Sequence, residues 1–232
     1  MISVIIPAYN EEKHIKATIQ RVWHYDTDNL VKEVIVVDGG SSDATVTIAR
    51  SEGVRIVVSP NKGRAAQMNY GASIAREKIL YFLHADTVPV MGFTGDIRQA
   101  LEDGYDAGCF MLAFDHSNWF LKANCWFTRF DVDAFHYGDQ SLFVKGDHFH
   151  NAGGFSEKHI VFEDYHIIKQ LKKRSRFTIV KKRVITSARK HLDNGIYKMQ
   201  GVFYLMYFLY KLGLSQPRLV ATYKRLIKQE KT

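Results

Sequence analysis

The stretch EVIVVDGGSSDATVTIARSEGVRIVVSP (residues 33–60) contains a strand, a helix and a second strand in direct succession. Its VIVV run is β-branched, which is typical of a strand buried on both faces. Asp38 and two glycines end this run, and Ser42 or Asp43 can cap the helix that Gly53 then stops. Two buried strands joined by one helix predict parallel pairing.

The same alternation continues on both sides of this unit. A buried strand, ISVIIP (2–7), precedes a helix that we expect Asn10 to cap. After it come a helix of small residues, GRAAQMNYGASIA (63–75), and a fourth strand, KILYFL (78–83). Four strands alternating with helices predict an α/β fold with a mostly parallel, doubly wound sheet.

The alternation of strands and helices becomes less regular after residue 90. We expect strands at DAGCFMLAF (106–114) and QSLFVKG (140–146), with an aromatic helix from Trp119 to Phe130 between them. A basic helix opens at FEDYHIIKQLKKR (162–174), and two more helical stretches begin at about Asn194.

Length and composition favour one large domain. The chain has 232 residues, of which 46% are hydrophobic, and this is enough to bury a sizeable core. Cys109 and Cys125 show no metal-ligand spacing. No segment precedes the first strand, so we expect no signal peptide and a reduced, cytoplasmic location.

The net charge of +8 is unevenly distributed along the chain. Residues 168–232 hold 17 Lys or Arg and two acids, which leaves 15 basic and 22 acidic residues in 1–167. An acidic front and a basic tail suggest two different partners. No nucleic-acid motif accompanies the basic tail, so we expect no nucleic-acid partner.

Carboxylates follow the predicted strands, where α/β sheets bind their ligands. Asp38 ends the second strand, Asp86 follows the fourth, and the acidic pair Glu163-Asp164 opens a later helix. The first strand is followed by PAYNEE rather than a glycine-rich turn, and this disfavours a dinucleotide-binding enzyme. Carboxylates at such a place can hold a hard divalent cation or accept hydrogen bonds from ribose or base.

Five motifs in this order and spacing carry a resemblance to a known family: VIIPAYNEE (4–12), VVDGGSSDAT (36–45), NKGRAAQMNYGA (61–72), LHADT (83–87) and FEDYH (162–166). The chain resembles the family 2 glycosyltransferases with the GT-A fold. It most resembles a small bacterial and archaeal subgroup with HAD in place of DxD, YGDQSLFV and a basic, aromatic tail. The resemblance implies inverting transfer of a sugar from a nucleotide-diphosphate-sugar to an acceptor hydroxyl.

The resemblance also implies a domain organisation and a donor site. Residues 1–192 would form the catalytic domain, with 1–90 binding the donor and 91–192 the acceptor, and 193–232 would form a helical tail. The donor residues would be Pro7, Ala8, Tyr9, Glu11, Asp38, Lys62, Gly63, Arg64, Asn69, His84, Ala85 and Asp86. The alternatives are a turn role for Asp38, favourable first-turn charge for Glu11, and a solvated turn at 62–64.

A divalent cation, Mn2+ or Mg2+, is part of the same resemblance. Asp86 stands where the family's DxD places its metal-binding carboxylate, and His84 replaces the first Asp, so His84 could contact metal, ribose or neither. In this family a His near the end of the catalytic domain often completes the metal site, which makes His191 a candidate ligand. The alternative is that His191 is simply an exposed residue of a basic segment. His148-x-His150 also has the spacing of a metal pair, but no third ligand is evident.

The general base is expected at the acidic pair. The resemblance assigns this role to Asp164, with Asp139 as a second candidate and Glu163 beside them, whereas Asp131 and Asp133 are expected to be solvated. The alternative for the pair is stabilisation of a helix N-terminus by negative charge.

The tail predicts contact with a membrane surface. GVFYLMYFLYKLGL (201–214) is apolar but too short to span a bilayer, and the following segment is basic and amphipathic. We expect peripheral contact through 196–232 at the inner face of the cell membrane, with an acceptor that is lipid-linked or close to the membrane. Packing on the core or on a second subunit is the alternative.

Two other functions remain open. A nucleotidyltransferase of related fold would need a basic, glycine-rich N-terminal signature, which PAYNEE lacks. A non-catalytic nucleotide-sugar-binding protein is disfavoured by the intact Asp38, Asp86 and Asp164, although His84 leaves room for it.

Overall fold

A computed structural model describes residues 1–130 and 138–227 of the chain. The strands are β1 (Ile2–Ala8), β2 (Val31–Asp38), β3 (Arg55–Val58), β4 (Ile79–Phe82), β5 (Thr87–Val88), β6 (Ala107–Phe114), β7 (Leu142–Lys145) and β8 (Phe177–Thr186). The helices are α1 (Ile15–Tyr25), α2 (Thr45–Ser51), α3 (Arg64–Ile74), α4 (Phe93–Glu102), α5 (Trp119–Phe127), α6 (Gly146–Asn151), α7 (Glu163–Arg174), α8 (Arg189–Asn194), α9 (Ile196–Lys211) and α10 (Gln216–Leu226).

The strands form one mixed, mostly parallel sheet in the order β3-β2-β1-β4-β7-β6-β8-β5. The four strands predicted in the first 85 residues lie side by side and run parallel, so their carboxyl ends share one edge. Antiparallel β7 joins this half to β6, which pairs in parallel with β8. The α/β fold with a mostly parallel sheet is therefore confirmed.

Two helical layers bury the two faces of the sheet. In β1, Val4 and Ile6 pack into a core with the apolar face of α1, whereas Ile5 packs into a second core with α3. Side chains of a strand alternate between its faces, so a strand covered on both sides is apolar throughout. This is the physical reason that β1 and β2 read as continuous hydrophobic runs.

Helix α3 approaches the sheet closely because Gly71 has no side chain. A Cβ at this position would lie 2.5 Å from Ile5 Cγ2 and 3.0 Å from Val37 Cγ2. We expect Gly71→Ala to lower the free energy of unfolding by about 1–3 kcal/mol through overpacking. Gly201→Ala in α9 is the matched control, because a Cβ there meets no atom within 4 Å. Urea denaturation that ranks the two variants equally would contradict this packing.

Two local predictions differ from the structure. Helix α1 begins at Ile15, and Asn10 does not cap it. Asn10 instead has a φ of 52°, donates its backbone N–H to Ser41 Oγ (2.9 Å) and accepts the Ser42 N–H on Oδ1 (2.9 Å). It thereby ties the loop after β1 to the loop after β2. The aromatic helix α5 also ends at Phe127, three residues before the expected Phe130.

The two predicted C-terminal helices are present as α9 and α10. They bury Met199, Val202 and Met206 against Leu219 in a small core of their own. Among the residues described, none of the helices is both long enough and apolar enough to cross a bilayer.

Candidate functional site

The ends of β1 and β2 form the floor of the candidate site. Ala8 and Asp38 are paired in register, and the Gly39 N–H donates to Ala8 O at 2.8 Å. Gln67 of α3, which the sequence interpretation missed, donates from Nε2 to both Ala8 O and Val37 O at 2.8 Å. A long polar residue among the small residues of a buried helix face is the signal that could have identified it.

Asp38 is buried in the turn that follows β2. Its carboxylate accepts the backbone N–H groups of Gly40 (2.9 Å) and Ser41 (3.0 Å). The structure therefore assigns it the turn role that stood as the alternative, and a contact with the donor base stays a prediction. Asp43, rather than Ser42, accepts the Thr45 N–H at the start of α2 (2.9 Å).

The loop after β1 places its predicted donor residues at the same edge. Pro7 is buried within β1, and Tyr9 is 37% exposed just beyond the end of the strand. Glu11 has a buried side chain, and its N–H donates to Thr45 Oγ1 at 2.7 Å. An exposed aromatic ring and a buried carboxylate thus flank the turn of Asp38.

The HAD motif divides into three residues with different environments. His84 Nδ1 lies 2.7 Å from Asp139 Oδ1. Ala85 is buried, and its carbonyl accepts the Thr18 hydroxyl of α1 at 2.6 Å. Asp86 is half-buried, and its carboxylate has no hydrogen-bond or ion-pair partner in the described parts of the chain.

The His84–Asp139 contact shifts the pKa of both groups. Burial and the Arg64 cation lower the pKa of the His84 imidazole, but the hydrogen bond and charge of Asp139 outweigh them and raise it. Burial likewise raises the pKa of Asp139, but the hydrogen bond and charge of His84, helped by Arg64, hold it well below its usual range. Asp139 is therefore held as a carboxylate that is already hydrogen-bonded to His84.

Arg64, at the first position of α3, crosses the cleft to the acidic pair. Its Nε donates to Glu163 Oε1 at 2.6 Å, and its second terminal nitrogen donates to Asp164 Oδ2 at 3.1 Å. The Arg64 side chain is 42% exposed, whereas those of Glu163 and Asp164 are 3% and 12% exposed. The cation therefore faces the open cleft while the two carboxylates lie in its wall.

Asp164 differs from Asp139 in its proton affinity. Burial raises the pKa of Asp164 to about 6, and Glu163 adds to the rise, while the charges of Arg64 and His84 oppose it. A general base works best when its pKa lies near the working pH. Asp164 meets this condition better than Asp139 does.

Lys62 and Gly63 lead directly into the N-terminus of α3. Gly63 has a φ of 111°, a conformation that favours glycine. Both residues are exposed, and together with Arg64, Glu163, Glu157 and His159 they line one concavity. A helix N-terminus beside two cations attracts anions.

Asn69, a predicted donor contact, holds the loop before α7. Its Nδ2 donates to Phe155 O at 2.8 Å, and its Oδ1 accepts the Phe155 N–H at 2.9 Å. Both ends of the amide are thus engaged in a structural contact, and its role toward the donor stays a prediction.

His191 is buried between the rings of Phe114 and Phe203, at centroid distances of 4.7 and 5.7 Å. Burial lowers the pKa of its imidazole, and nearby Gln200 partly offsets this effect. Neither ring nitrogen of His191 has a hydrogen-bond partner among the described residues. Within 1–130 and 138–227, no three His, Cys, Asp or Glu residues cluster as a metal site. His191 as a metal ligand stays a prediction that its apolar surroundings do not support.

In the candidate pair His148-x-His150, His148 contacts other side chains. His148 Nδ1 contacts Ser175 Oγ at 2.7 Å, and its Nε2 lies 3.6 Å from Asp106. Asp131 and Asp133 lie outside the described residues.

An aromatic cluster, also missed from the sequence, supports the acidic pair. Phe162 enters α7 with a φ of 68°, which is unfavourable for a bulky residue. Its ring packs on Tyr210 (5.0 Å) and Tyr207 (6.3 Å) of α9. Lys211 of the same helix donates to the Tyr165 hydroxyl at 2.7 Å. Helix α9 therefore fixes the residues on both sides of the acidic pair.

Two curated relatives are similar in sequence to part of this chain. The chain is 35% identical over 99 residues to a dolichyl-phosphate beta-glucosyltransferase of Drosophila melanogaster, a match that covers 37% of this chain and 30% of that protein. It is 30% identical over 131 residues to an undecaprenyl-phosphate 4-deoxy-4-formamido-L-arabinose transferase of Aeromonas hydrophila, covering 53% and 40%. The chain thus spans less than half the length of either relative.

The mannosyltransferase PcManGT of Pyrobaculum calidifontis, solved in complex with GDP-Man and Mn2+, shares the fold with a TM-score of 0.69. The identity is 17%, and the similarity covers 96% of this chain and 68% of that one. The family model Glycosyl transferase family 2 matches residues 3–157, which contain β1 to β7 and the HAD motif. With two thirds of its length matched, the chain belongs to glycosyl transferase family 2.

Proposed function

We propose that the protein is an inverting glycosyltransferase that moves a sugar from a nucleotide-diphosphate-sugar to an acceptor hydroxyl. One observation carries the proposal: a buried carboxylate with a pKa of about 6, Asp164, contacts the cation that opens α3 at the carboxyl ends of the parallel strands. A candidate anion site and a candidate base are therefore neighbours at one edge of the sheet. Inverting transfer needs both groups, and once the donor has displaced the contact between them, the base and the leaving diphosphate would lie on opposite sides of the sugar.

The donor would bind along the ends of β1 to β4. Asp38 and Tyr9 would contact the base, and Glu11 the ribose, since these side chains follow neighbouring strands at one edge. Lys62 and Arg64 at the start of α3 would contact the diphosphate, because Arg can donate two parallel hydrogen bonds to phosphate oxygens. Arg64 would exchange one carboxylate for the phosphate when the donor binds.

Asp86 is the residue of this site that suits Mn2+ or Mg2+. A half-buried carboxylate without a protein partner can take one position of a hard cation, and phosphate oxygens and water commonly take the others. The cation would stabilise negative charge on the departing diphosphate. His84 would act through Asp139, since its Nδ1 is engaged there, and it would help to place the strand end that carries Asp86.

Asp164 would take the proton of the acceptor hydroxyl. Its competitor Asp139 is hydrogen-bonded to His84, and its lowered pKa makes it a weak base. Glu163 is almost fully buried against Arg64. The contacts of α9 with Phe162 and Tyr165 would keep the Asp164 carboxylate in place during the reaction.

The acceptor would be lipid-linked or close to a membrane. The names of the two curated relatives above contain dolichyl phosphate and undecaprenyl phosphate, both long-chain lipid phosphates. We further propose that 1–192 is the catalytic region and that 193–232 is a tail that contacts the membrane at the inner face of the cell. The basic, aromatic composition of that tail supports this assignment.

A substrate panel analysed by mass spectrometry tests the reaction type. The panel contains nucleotide-diphosphate-sugars, and separately nucleoside triphosphates with sugar 1-phosphates, each with Mn2+ or with EDTA. We expect release of a nucleoside diphosphate from one nucleotide-sugar. Formation of a nucleotide-sugar and pyrophosphate would instead identify a nucleotidyltransferase, and binding without turnover would favour a non-catalytic binder.

The pH dependence of turnover tests the assignment of the base. Protonated Asp164 cannot accept a proton, so kcat/KM should fall as the pH drops through about 6, with a slope of one. Arg64 lowers the pKa of Asp164, so Arg64→Gln should move this limb to higher pH. A limb that stays in place in Arg64→Gln would show that another group is being titrated.

A further inference from the structure

Helix α9 has an apolar face that stays largely exposed in the described parts of the chain. The face repeats at helical spacing and consists of Tyr197, Gly201, Tyr204, Leu205, Phe208 and, just after the helix, Leu212. Phe208 and Leu212 are 58% and 68% exposed. The opposite face buries Met199, Val202 and Met206. A helix that is apolar all round is normally buried on all sides, so the exposed face indicates an interaction site.

Helix α5 extends the same surface, although it lies some 70 residues earlier in the chain. Its Phe120 ring packs on Tyr197 at 5.0 Å, and Asn124 accepts a hydrogen bond from the Tyr204 hydroxyl. These two contacts place α5 alongside α9. Trp119, Trp126, Phe127 and Phe130 are exposed on α5 and just after it, and they enlarge the uncovered area. We refer to the exposed faces of α5 and α9 as the aromatic surface.

The segments that form the aromatic surface carry charge of one sign. Residues 118–130 and 195–227, which contain α5, α9 and α10, include no Asp or Glu. They include seven basic residues: Lys122, Arg129, Lys198, Lys211, Arg218, Lys224 and Arg225. Arg129 also stacks its guanidinium on Trp126 at 4.4 Å. Exposed Trp and Tyr in segments that contain basic and no acidic residues match the headgroup level of an anionic bilayer.

We propose that the aromatic surface docks the protein on an anionic lipid bilayer, with α5 and α9 lying together in the interface. The inference rests on the membrane-proximal acceptor proposed above and deepens it by assigning part of the contact to α5, outside the tail. A second copy of the chain is a poorer occupant, because the basic residues of two such surfaces would repel each other across the contact.

The position of the active site favours a bilayer as well. The inner side of α9 contacts Phe162 and Tyr165, which flank the acidic pair, while its outer side carries Phe208 and Leu212. Docking through the outer side would therefore bring Asp164 close to the lipid surface. A lipid-linked acceptor could then reach the base without leaving the membrane.

The three tryptophans of the chain allow a direct test without donor or acceptor. Trp119 and Trp126 lie on the aromatic surface, whereas Trp23 lies on α1 and is 43% exposed. Vesicles of brominated phosphatidylcholine and phosphatidylglycerol quench only tryptophans that enter the bilayer. We expect strong quenching in Trp23→Phe, and little in the double variant Trp119→Phe/Trp126→Phe, which keeps its apolar character and still sediments with the vesicles.

Affinity provides a second readout. Trp119→Ser on α5 and Phe208→Ser on α9 should each weaken sedimentation with phosphatidylglycerol vesicles by about tenfold, while Trp23→Ser should leave it unchanged. Vesicles of phosphatidylcholine alone should bind much less protein. An effect of Phe208→Ser without one of Trp119→Ser would remove α5 from the surface.

Several results would overturn the proposal. These are an absence of binding to phosphatidylglycerol vesicles, equal quenching of Trp23, or a stable dimer in light scattering that loses its self-association in Trp119→Ser. Because vesicle binding needs no sugar transfer, a protein that transfers sugar but does not bind lipid would refute this surface and leave the proposed activity intact. A protein that binds lipid but transfers no sugar would support this surface and refute the proposed activity.

Discussion

Asp164→Asn is expected to lower sugar transfer by roughly 10²- to 10⁴-fold, while donor binding stays within a factor of about two. The amide keeps the shape of the side chain and can still accept the hydrogen bond of Arg64, but it cannot take a proton from the acceptor hydroxyl. The residual rate should also lose its fall below pH 6, because the titrating group is gone. Single-turnover release of the nucleoside diphosphate measures both effects.

Two companion variants separate the base from its neighbours. Asp193→Asn, at an exposed position of α8, controls for the substitution itself and should behave as the native protein. Asp139→Asn should disturb the His84 contact but keep the limb near pH 6. If Asp164→Asn transfers at the native rate while Asp139→Asn does not, the base is Asp139 and the assignment made from the pKa values is wrong.

Asp86→Ala is expected to remove the dependence of donor binding on a divalent cation. The half-buried carboxylate is the described group best placed to share a cation with a diphosphate at the end of β4. Loss of the cation should cost at least about 10²-fold in turnover, since charge on the leaving diphosphate would be uncompensated. The electron paramagnetic resonance signal of free Mn2+, titrated with protein and nucleoside diphosphate, falls as the ion binds and so measures the binding.

The matched control for this variant is Asp193→Ala, which removes an exposed carboxylate away from the strand ends. The native protein and the control should both reduce the signal of free Mn2+ below the level set by nucleoside diphosphate alone, and Asp86→Ala should not. His191→Gln provides a further comparison, because the apolar packing of His191 predicts unchanged Mn2+ binding. Retention of Mn2+ binding by Asp86→Ala would refute the metal assignment.

The sheet could be predicted from the sequence where its strands are buried on both faces. β1, β2 and β4 are runs of apolar residues because helices cover both of their sides. β8 was not predicted, since Lys181, Lys182 and Arg183 interrupt its apolar residues, and its register with β6 shifts at that point. β5 has only two residues and exists through its pairing with β8, about a hundred positions later, which no local pattern indicates.

The candidate site could be predicted residue by residue, but its internal contacts could not. The motifs identified His84 and Asp139 separately, and the structure joins them across 55 positions at 2.7 Å. Arg64 likewise contacts the acidic pair across about 100 positions. Such contacts depend on the order of the strands, which folding determines and short motifs do not encode. Asn10 is a further example: its side chain was expected to cap α1, but it binds the loop after β2 instead.

The end of β4 shows what the structure adds to a motif. An apolar strand that stops at His-Ala-Asp suggests two polar residues acting on one ligand. In the structure His84 Nδ1 is paired with Asp139, Ala85 anchors α1 through Thr18, and the Asp86 carboxylate has no partner among the described residues. We therefore expect the carboxylate to bind the ligand and the imidazole to support the strand end.

Calorimetric titration of the protein with nucleotide-diphosphate-sugars, with and without Mn2+, tests the donor site most directly. The account predicts that one nucleotide-sugar binds, that Mn2+ strengthens the binding, and that Asp38→Ala weakens it while Asp193→Ala does not. Binding that neither Mn2+ nor the loss of Asp38 alters, or no binding of any nucleotide-sugar, would contradict a donor site at the carboxyl ends of these strands.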